Sequence, residues 1–142
     1  MKTAIPIWDG KISPVFDTAS KLLIVQLEGN REKSRIEAYL EDKNLTRRCS
    51  RIHDLEIDVL ICGAISRAFY RMLVAGGVNV IPWISGPVEE VLDAWMHGTL
   101  FHSRFLMPGC NWQKKDKAEK FFGNSISQNL KKIREQKQED SF

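Results

Sequence analysis

Asp58-Val59-Leu60-Ile61-Cys62-Gly63-Ala64-Ile65-Ser66 is the stretch on which the fold turns. A short continuous apolar run that stops at a glycine fits a strand buried on both faces, as in a parallel sheet with helices above and below. Gly63 permits a tight turn or a close backbone approach. Ser66 fits the N-cap of a following helix at about 66–75, which carries Phe69, Met72 and Leu73 and stops at Gly76-Gly77. A strand–Gly–helix junction turns backbone N–H groups toward whatever lies in front of it, and such groups suit an anion.

Upstream, Thr3 to Trp8 reads as a first strand, with Pro6 an awkward member because it cannot donate to a ladder. Asp9-Gly10 then turns the chain into a long connection, residues 9–21, centred on Ser13-Pro14 and Phe16. A connection of that length either carries function or uses Val15 and Phe16 to plug the end of the core. Leu22–Leu27 and Ser34–Leu40 form a hairpin around Glu28-Gly29-Asn30. The one-sided alternation of Ile36, Ala38 and Leu40 suits an edge strand, and its charges discourage edge-to-edge pairing. Residues 44–55 read as a helix capped by Asn44, with Leu45, Cys49, Ile52 and Leu55 on its apolar stripe. Arg47, Arg48 and Arg51 are then expected on its solvated face.

Downstream, Val78–Ile81 is a fifth strand, and Ser85-Gly86-Pro87 opens a helix. Its first turn carries Glu89 and Glu90, its buried face Val88, Val91, Leu92, Trp95 and Met96, and Gly98 ends it. Beyond Leu106 a breaker cluster, Met107-Pro108-Gly109-Cys110, leads into a basic segment. There Ile126, Leu130 and Ile133 make an amphipathic stripe that needs a surface, its own domain or a partner. The expected division is an α/β domain over 1–106 and a basic, helical extension over 107–142.

The order βββ-α-β-α-β-α, with right-handed crossovers, predicts a five-stranded mixed sheet of order 3-2-1-4-5 with strand 2 antiparallel. Strands 1 and 4 flank a topological switch point, where open α/β sheets bind ligands. Three loops rich in Gly, Ser and Pro should meet there: 9–20, 62–67 and 83–87. They suit an anion held by backbone N–H groups, with Ser13, Pro14, Phe16, Gly63, Ala64, Ile65, Ser66, Arg67, Ser85 and Gly86 as contacts.

The 142 residues, 43% hydrophobic and 27% charged, suit one globular domain. The net charge of +3 is too mild to argue for nucleic acid, and no nucleic-acid motif is present. No apolar run spans a bilayer, and the N-terminus lacks the pattern of a secretory signal. Cys49, Cys62 and Cys110 form no CxxC pair, so a reducing cytoplasm is the simplest setting. Cys49 reads as a small buried hydrophobe. Cys62 reads as a structural thiol or a cleft residue, and Cys110 as a ligating thiol or an inert one. No spacing fits a structural zinc site. Asp9 and Asp58 should lie at opposite strand ends, too far apart to share a catalytic metal, so the chain reads as non-catalytic.

Asp9-Gly10 with Ser13-Pro14-Val15-Phe16-Asp17-Thr18-Ala19, Val59 to Ile65, and Ser85-Gly86-Pro87-Val88-Glu89-Glu90-Val91-Leu92 stand in that order along the chain. In this they resemble the dinitrogenase iron-molybdenum cofactor biosynthesis family, which includes NifX, the C-terminal domain of NifB and the small orange protein that carries a molybdenum–copper sulfide cluster. The resemblance covers about 1–106. It implies a ribonuclease H-like three-layer fold and a nitrogen-fixation accessory role. It also implies non-covalent binding or delivery of an iron–sulfur or molybdenum-containing sulfide cluster, or of a cofactor precursor. A cluster donor or acceptor protein is the partner expected at the C-terminal extension; the other reading of that helix is a docking or regulatory module without metal. Family members commonly carry His where this chain has Val15 and Gly where it has Asp17.

Overall fold

The computed structural model describes residues 1–100 and 105–107. Six strands and three helices follow in the order β1 (Lys2–Trp8), β2 (Lys11–Ile12), β3 (Lys21–Glu28), β4 (Arg31–Tyr39), α1 (Leu45–Asp54), β5 (Val59–Ile61), α2 (Arg67–Ala75), β6 (Asn79–Ile81) and α3 (Val88–Met96). A 3-10 turn, Phe16–Thr18, interrupts the connection between β2 and β3.

The sheet runs β4-β3-β1-β5-β6, and β2 folds back onto the end of β1. β1 is antiparallel to β3 and parallel to β5, and β5 is parallel to β6. Pro6 lies beyond Ala4↔Leu60, the last β1–β5 pair, and its carbonyl accepts from the Ser13 N–H at 2.8 Å. The parallel ladder has ended before the ring arrives, so the missing donor costs it nothing.

Alternation along the strands divides the interior in two. Ala4, Leu22, Ile24, Leu60 and Val80 meet α1 and α2 on one face, together with Cys62. Ile5, Leu23, Val25, Val59, Ile61 and Ile81 meet α3, Leu100, Phe105 and Leu106 on the other. β5 is buried throughout because helices cover both of its sides.

Each helix starts where the chain offers it a start. The Asn44 side chain accepts from the N–H groups of Thr46 and Arg47, and Ser66 accepts from that of Phe69. Pro87 precedes α3 without a side-chain cap, and the Val88 N–H instead donates to the Gly10 carbonyl at 3.0 Å.

One expectation is overturned. Arg48 is buried, only 3% exposed, whereas Arg47 and Arg51 are exposed as a solvated face requires. Position 48 lies three after Leu45 and four before Ile52, so the helix places it on the apolar stripe. No helix among the described residues is long and apolar enough to cross a membrane. Cys110 and the extension from 108 to 142 lie outside the described residues.

Candidate functional site

The carboxyl ends of β1, β5 and β6 send out three loops, and backbone hydrogen bonds join them. Between the first and second, the Phe16 N–H donates to the Ala64 carbonyl and the Ala64 N–H to the Pro14 carbonyl, both at 2.8 Å. This is a parallel bridge between Val15 and Ala64. Between the second and third, Trp83 N–H donates to the Gly63 carbonyl and Ile84 N–H to the Cys62 carbonyl, both at 2.9 Å. The first and third meet through Ile12 N–H to the Gly86 carbonyl at 3.0 Å.

Gly63 shows why the second loop needs a glycine. A Cβ at that position would lie 2.7 Å from the Pro14 carbonyl oxygen and 2.8 Å from that of Ser13. The requirement is the close passage of one backbone over another. Gly86 answers a different need, a φ of 128°.

The expected residues are brought together but face different ways. Ser13 and Ile65 are buried, and Phe16 is fully buried with its ring stacked on Phe69 at 4.8 Å between centroids. Phe16 therefore plugs the end of the core, whereas Val15, expected to plug it too, remains exposed because the turn of the loop sends it outward. Pro14, Ser66 and Arg67 are exposed, and Ala64, Ser85 and Gly86 are half-buried.

The backbone donors are largely spoken for. Ala64 bonds to Pro14, Ser85 to the Phe105 carbonyl at 2.7 Å, and Ser66 N–H to the Asp17 carboxylate at 2.8 Å. A carboxylate of the chain itself thus stands at the N-terminus of α2, where the helix macrodipole favours negative charge.

The residue that sequence reasoning missed is Arg48. Its guanidinium donates to four carbonyl oxygens: Phe16 at 2.8 Å, Ala19 at 2.6 Å, Leu40 at 3.3 Å and Asp42 at 3.1 Å. It also lies 5.8 Å from the ring centroids of both Phe16 and Phe69, a cation–π distance. Burial pushes the guanidinium's pKa down, and Asp17 and Asp42 counter that. Arg48 ties residues 16–19 of the first loop to α1, while Val15 and Asp17 tie the same stretch to Ala64 and Ser66 just ahead of α2. The i, i+3, i+7 spacing of 45, 48 and 52 was the signal that could have located it.

The rim of the site is apolar and strained. Trp8, at the end of β1, is 67% exposed. Asp9 and Trp83 take left-handed φ values of 52° and 67°, which a bulky side chain adopts only when its surroundings impose it. For Trp83 the surroundings are the bond to Gly63 and another from Met107 N–H to its carbonyl at 2.9 Å. Cys62 is fully buried behind the loops, and burial raises its thiol pKa, so it stays a neutral core residue. Among the described residues, no three His, Cys, Asp or Glu side chains group to hold a metal ion. A groove of about 1070 Å³ lies elsewhere, between β4 and α1.

Solved structures share this fold. The crystal structure of PH0822 matches at a TM-score of 0.68 with 20% identity, over 80% of this chain and 99% of that one. A candidate dinitrogenase from Methanocaldococcus jannaschii matches at 0.59 with 22% identity, over 70% and 90%. A NifB-type protein from Thermotoga matches at 0.53 with 23% identity, over 69% and 89%. At these identities the likeness speaks for the fold. No curated protein matches the chain. The family model for dinitrogenase iron-molybdenum cofactor proteins matches residues 1–98, a span that holds all three loops, and the chain belongs to that family.

Proposed function

We propose that this chain is a non-catalytic binding or carrier protein for an anionic metal–sulfide cluster, or for a precursor of the iron-molybdenum cofactor. The reading treats its sheet as ribonuclease H-like. The cargo sits outside the carboxyl ends of β1, β5 and β6. The observation that carries the reading is the family match over 1–98 combined with the mutual locking of the three loops inside that span. A surface fixed before its cargo arrives loses little entropy on binding.

The available chemistry points to a non-covalent grip. Ser66 and Arg67 offer an exposed polar and cationic side, and Pro14, Trp8 and Val15 an apolar one. Sulfide-coated clusters are large, soft anions that suit such a mixed surface. Asp17 adds negative charge beside it, which favours release over tight retention, as delivery requires. A cluster donor or acceptor is the partner that such a carrier needs, with residues 113–142 as its contact.

The test is native mass spectrometry with elemental analysis on chain purified without oxygen and incubated with ferrous iron, sulfide and tetrathiomolybdate. A stoichiometric metal–sulfide adduct is expected. It should be lost in Gly63→Val, which pushes the first loop off the second, and retained when residues 113–142 are removed. No adduct under any loading condition would overturn the carrier reading.

A further inference from the structure

Among the described residues β4 ends the sheet, paired to β3 on one side only. Its residues are exposed from Arg31 to Glu37, and Ile36 is 58% exposed although it is aliphatic. An edge strand of this length with an apolar centre is a template for a further strand. The backbone decides which groups it offers. Leu40 N–H donates to the Ser20 carbonyl at 2.8 Å, so at residue 40 the strand faces β3. The unbroken register from Lys21↔Tyr39 to Gln26↔Ser34 carries that alternation back along β4. Residues 38, 36 and 34 face β3, while 39, 37 and 35 present their N–H and C=O groups outward.

We infer that β4 is a self-association edge, pairing antiparallel with β4 of a second copy of this chain about a two-fold axis at Ile36. In that register Arg35 stands opposite Glu37 of the second copy, and by symmetry Glu37 opposite its Arg35. Both are outward-facing positions, so the backbone bonds and the charges line up, with Arg35 also paired to Glu32 and Glu89, and Glu37 to Lys21, within its own chain. Ile36 meets Ile36 of the second copy at the axis, as a close non-hydrogen-bonded pair on the α1 side of the sheet. Moving the axis by one residue sets Arg35 against Arg35, or Glu37 against Glu37, which like charges oppose. The charges that generally discourage edge pairing therefore select one register here. The isologous geometry closes at two copies, so it makes a dimer and not a fibre. The edge reaches the start of α3 through the Arg35–Glu89 ion pair, but none of the outward backbone groups of β4 belongs to the three loops, and the inference stands independently of any cargo.

Sedimentation velocity on the full chain from about 1 to about 100 µM, the weak end of the range for small interfaces, should show a monomer passing to a dimer. Glu37→Pro removes one outward N–H without touching the β3 ladder, and it should hold the chain monomeric with its circular dichroism unchanged. The register is read by cysteine scanning in a Cys110→Ser background. Oxidised Ile36→Cys should give a covalent dimer, while Ser34→Cys, which stands opposite Ala38 of the second copy, should not. A chain that stays monomeric throughout, a dimer that survives Glu37→Pro, or equal cross-linking of the two cysteine variants would overturn the inference.

Discussion

The loop cluster at the carboxyl end of the sheet and the free edge of β4 use their backbone polar groups in opposite ways. In the cluster, N–H groups from Ile12 to Met107 donate across loops, and the buried Arg48 supplies donors where carbonyls are left over. Along β4, alternate residues find no backbone partner among the described residues, and one of its two arginines, Arg35, is an exposed cation held by the carboxylates of Glu32 and Glu89. Two arginines thus do unlike work. One replaces a missing strand of donors inside the fold, and the other is a surface ion pair of modest worth. The contrast teaches that a loop region rich in Gly, Ser and Pro need not be an open cradle. Here those residues let loops pass close enough to satisfy one another.

The contrast can be broken at several points. The largest effect is expected at Arg48. Arg48→Met keeps the stem's volume but leaves the Phe16 and Ala19 carbonyls buried without donors, at a cost of about 3 kcal/mol. A urea titration should show a lower midpoint at unchanged slope, and Arg48→Lys should recover only part of the loss, since an ammonium has three donors for four oxygens. An unchanged midpoint for Arg48→Met would mean that the guanidinium is incidental.

Gly63→Ala comes next, at about 2 kcal/mol, because the new methyl meets backbone oxygens and not a yielding side chain. Hydrogen exchange should quicken at the Phe16 and Ala64 amides, which bridge the two loops, and stay unchanged in the β3–β4 hairpin. Asp17→Asn removes the charge from the α2 N-terminus and should cost about 0.5 to 1 kcal/mol. Thermal melts in low and high salt would check it, since a charge–dipole contribution shrinks with added salt.

The smallest effect lies on the edge and is read by pH. The hydrogen bond from Arg35 holds the Glu32 carboxyl below its ordinary value of 4.5, against the opposing pull of desolvation. The folded pKa is depressed, so this contribution is present above the ordinary value and lost as pH falls through the folded one. Glu32→Gln should flatten a small part of the acid limb of stability and leave the neutral plateau in place. A steeper acid limb in the variant would contradict the assignment.

Much of the fold was legible because it is written in local chemistry. Asn44, Ser66 and Gly98 mark helix ends whose geometry depends on a few neighbouring atoms, and the run Val59–Ile61 could be buried on both faces only in a parallel setting. β2 was not legible, because a pair of residues, Lys11-Ile12, has no period to read. The three loops were placed together correctly from topology alone. Their internal state was not, since whether an N–H is free depends on which carbonyl lies across from it. Asp17 shows the limit: its charge was plain in the sequence, but that it would cap Ser66, 49 residues away, was not. Arg48 was readable in principle, from its place on the helical stripe, but an arginine in a run of arginines looks like a solvated face until tertiary contacts claim it.

The central claim is that cargo lands on the locked loops. Amide hydrogen exchange on the full chain, with and without ferrous iron, sulfide and tetrathiomolybdate under anaerobic conditions, tests it most directly. The account predicts added protection in residues 9–20, 62–67 and 83–87, with β3 and β4 unchanged. Protection confined to β4 and α1, or none at any site, would contradict it.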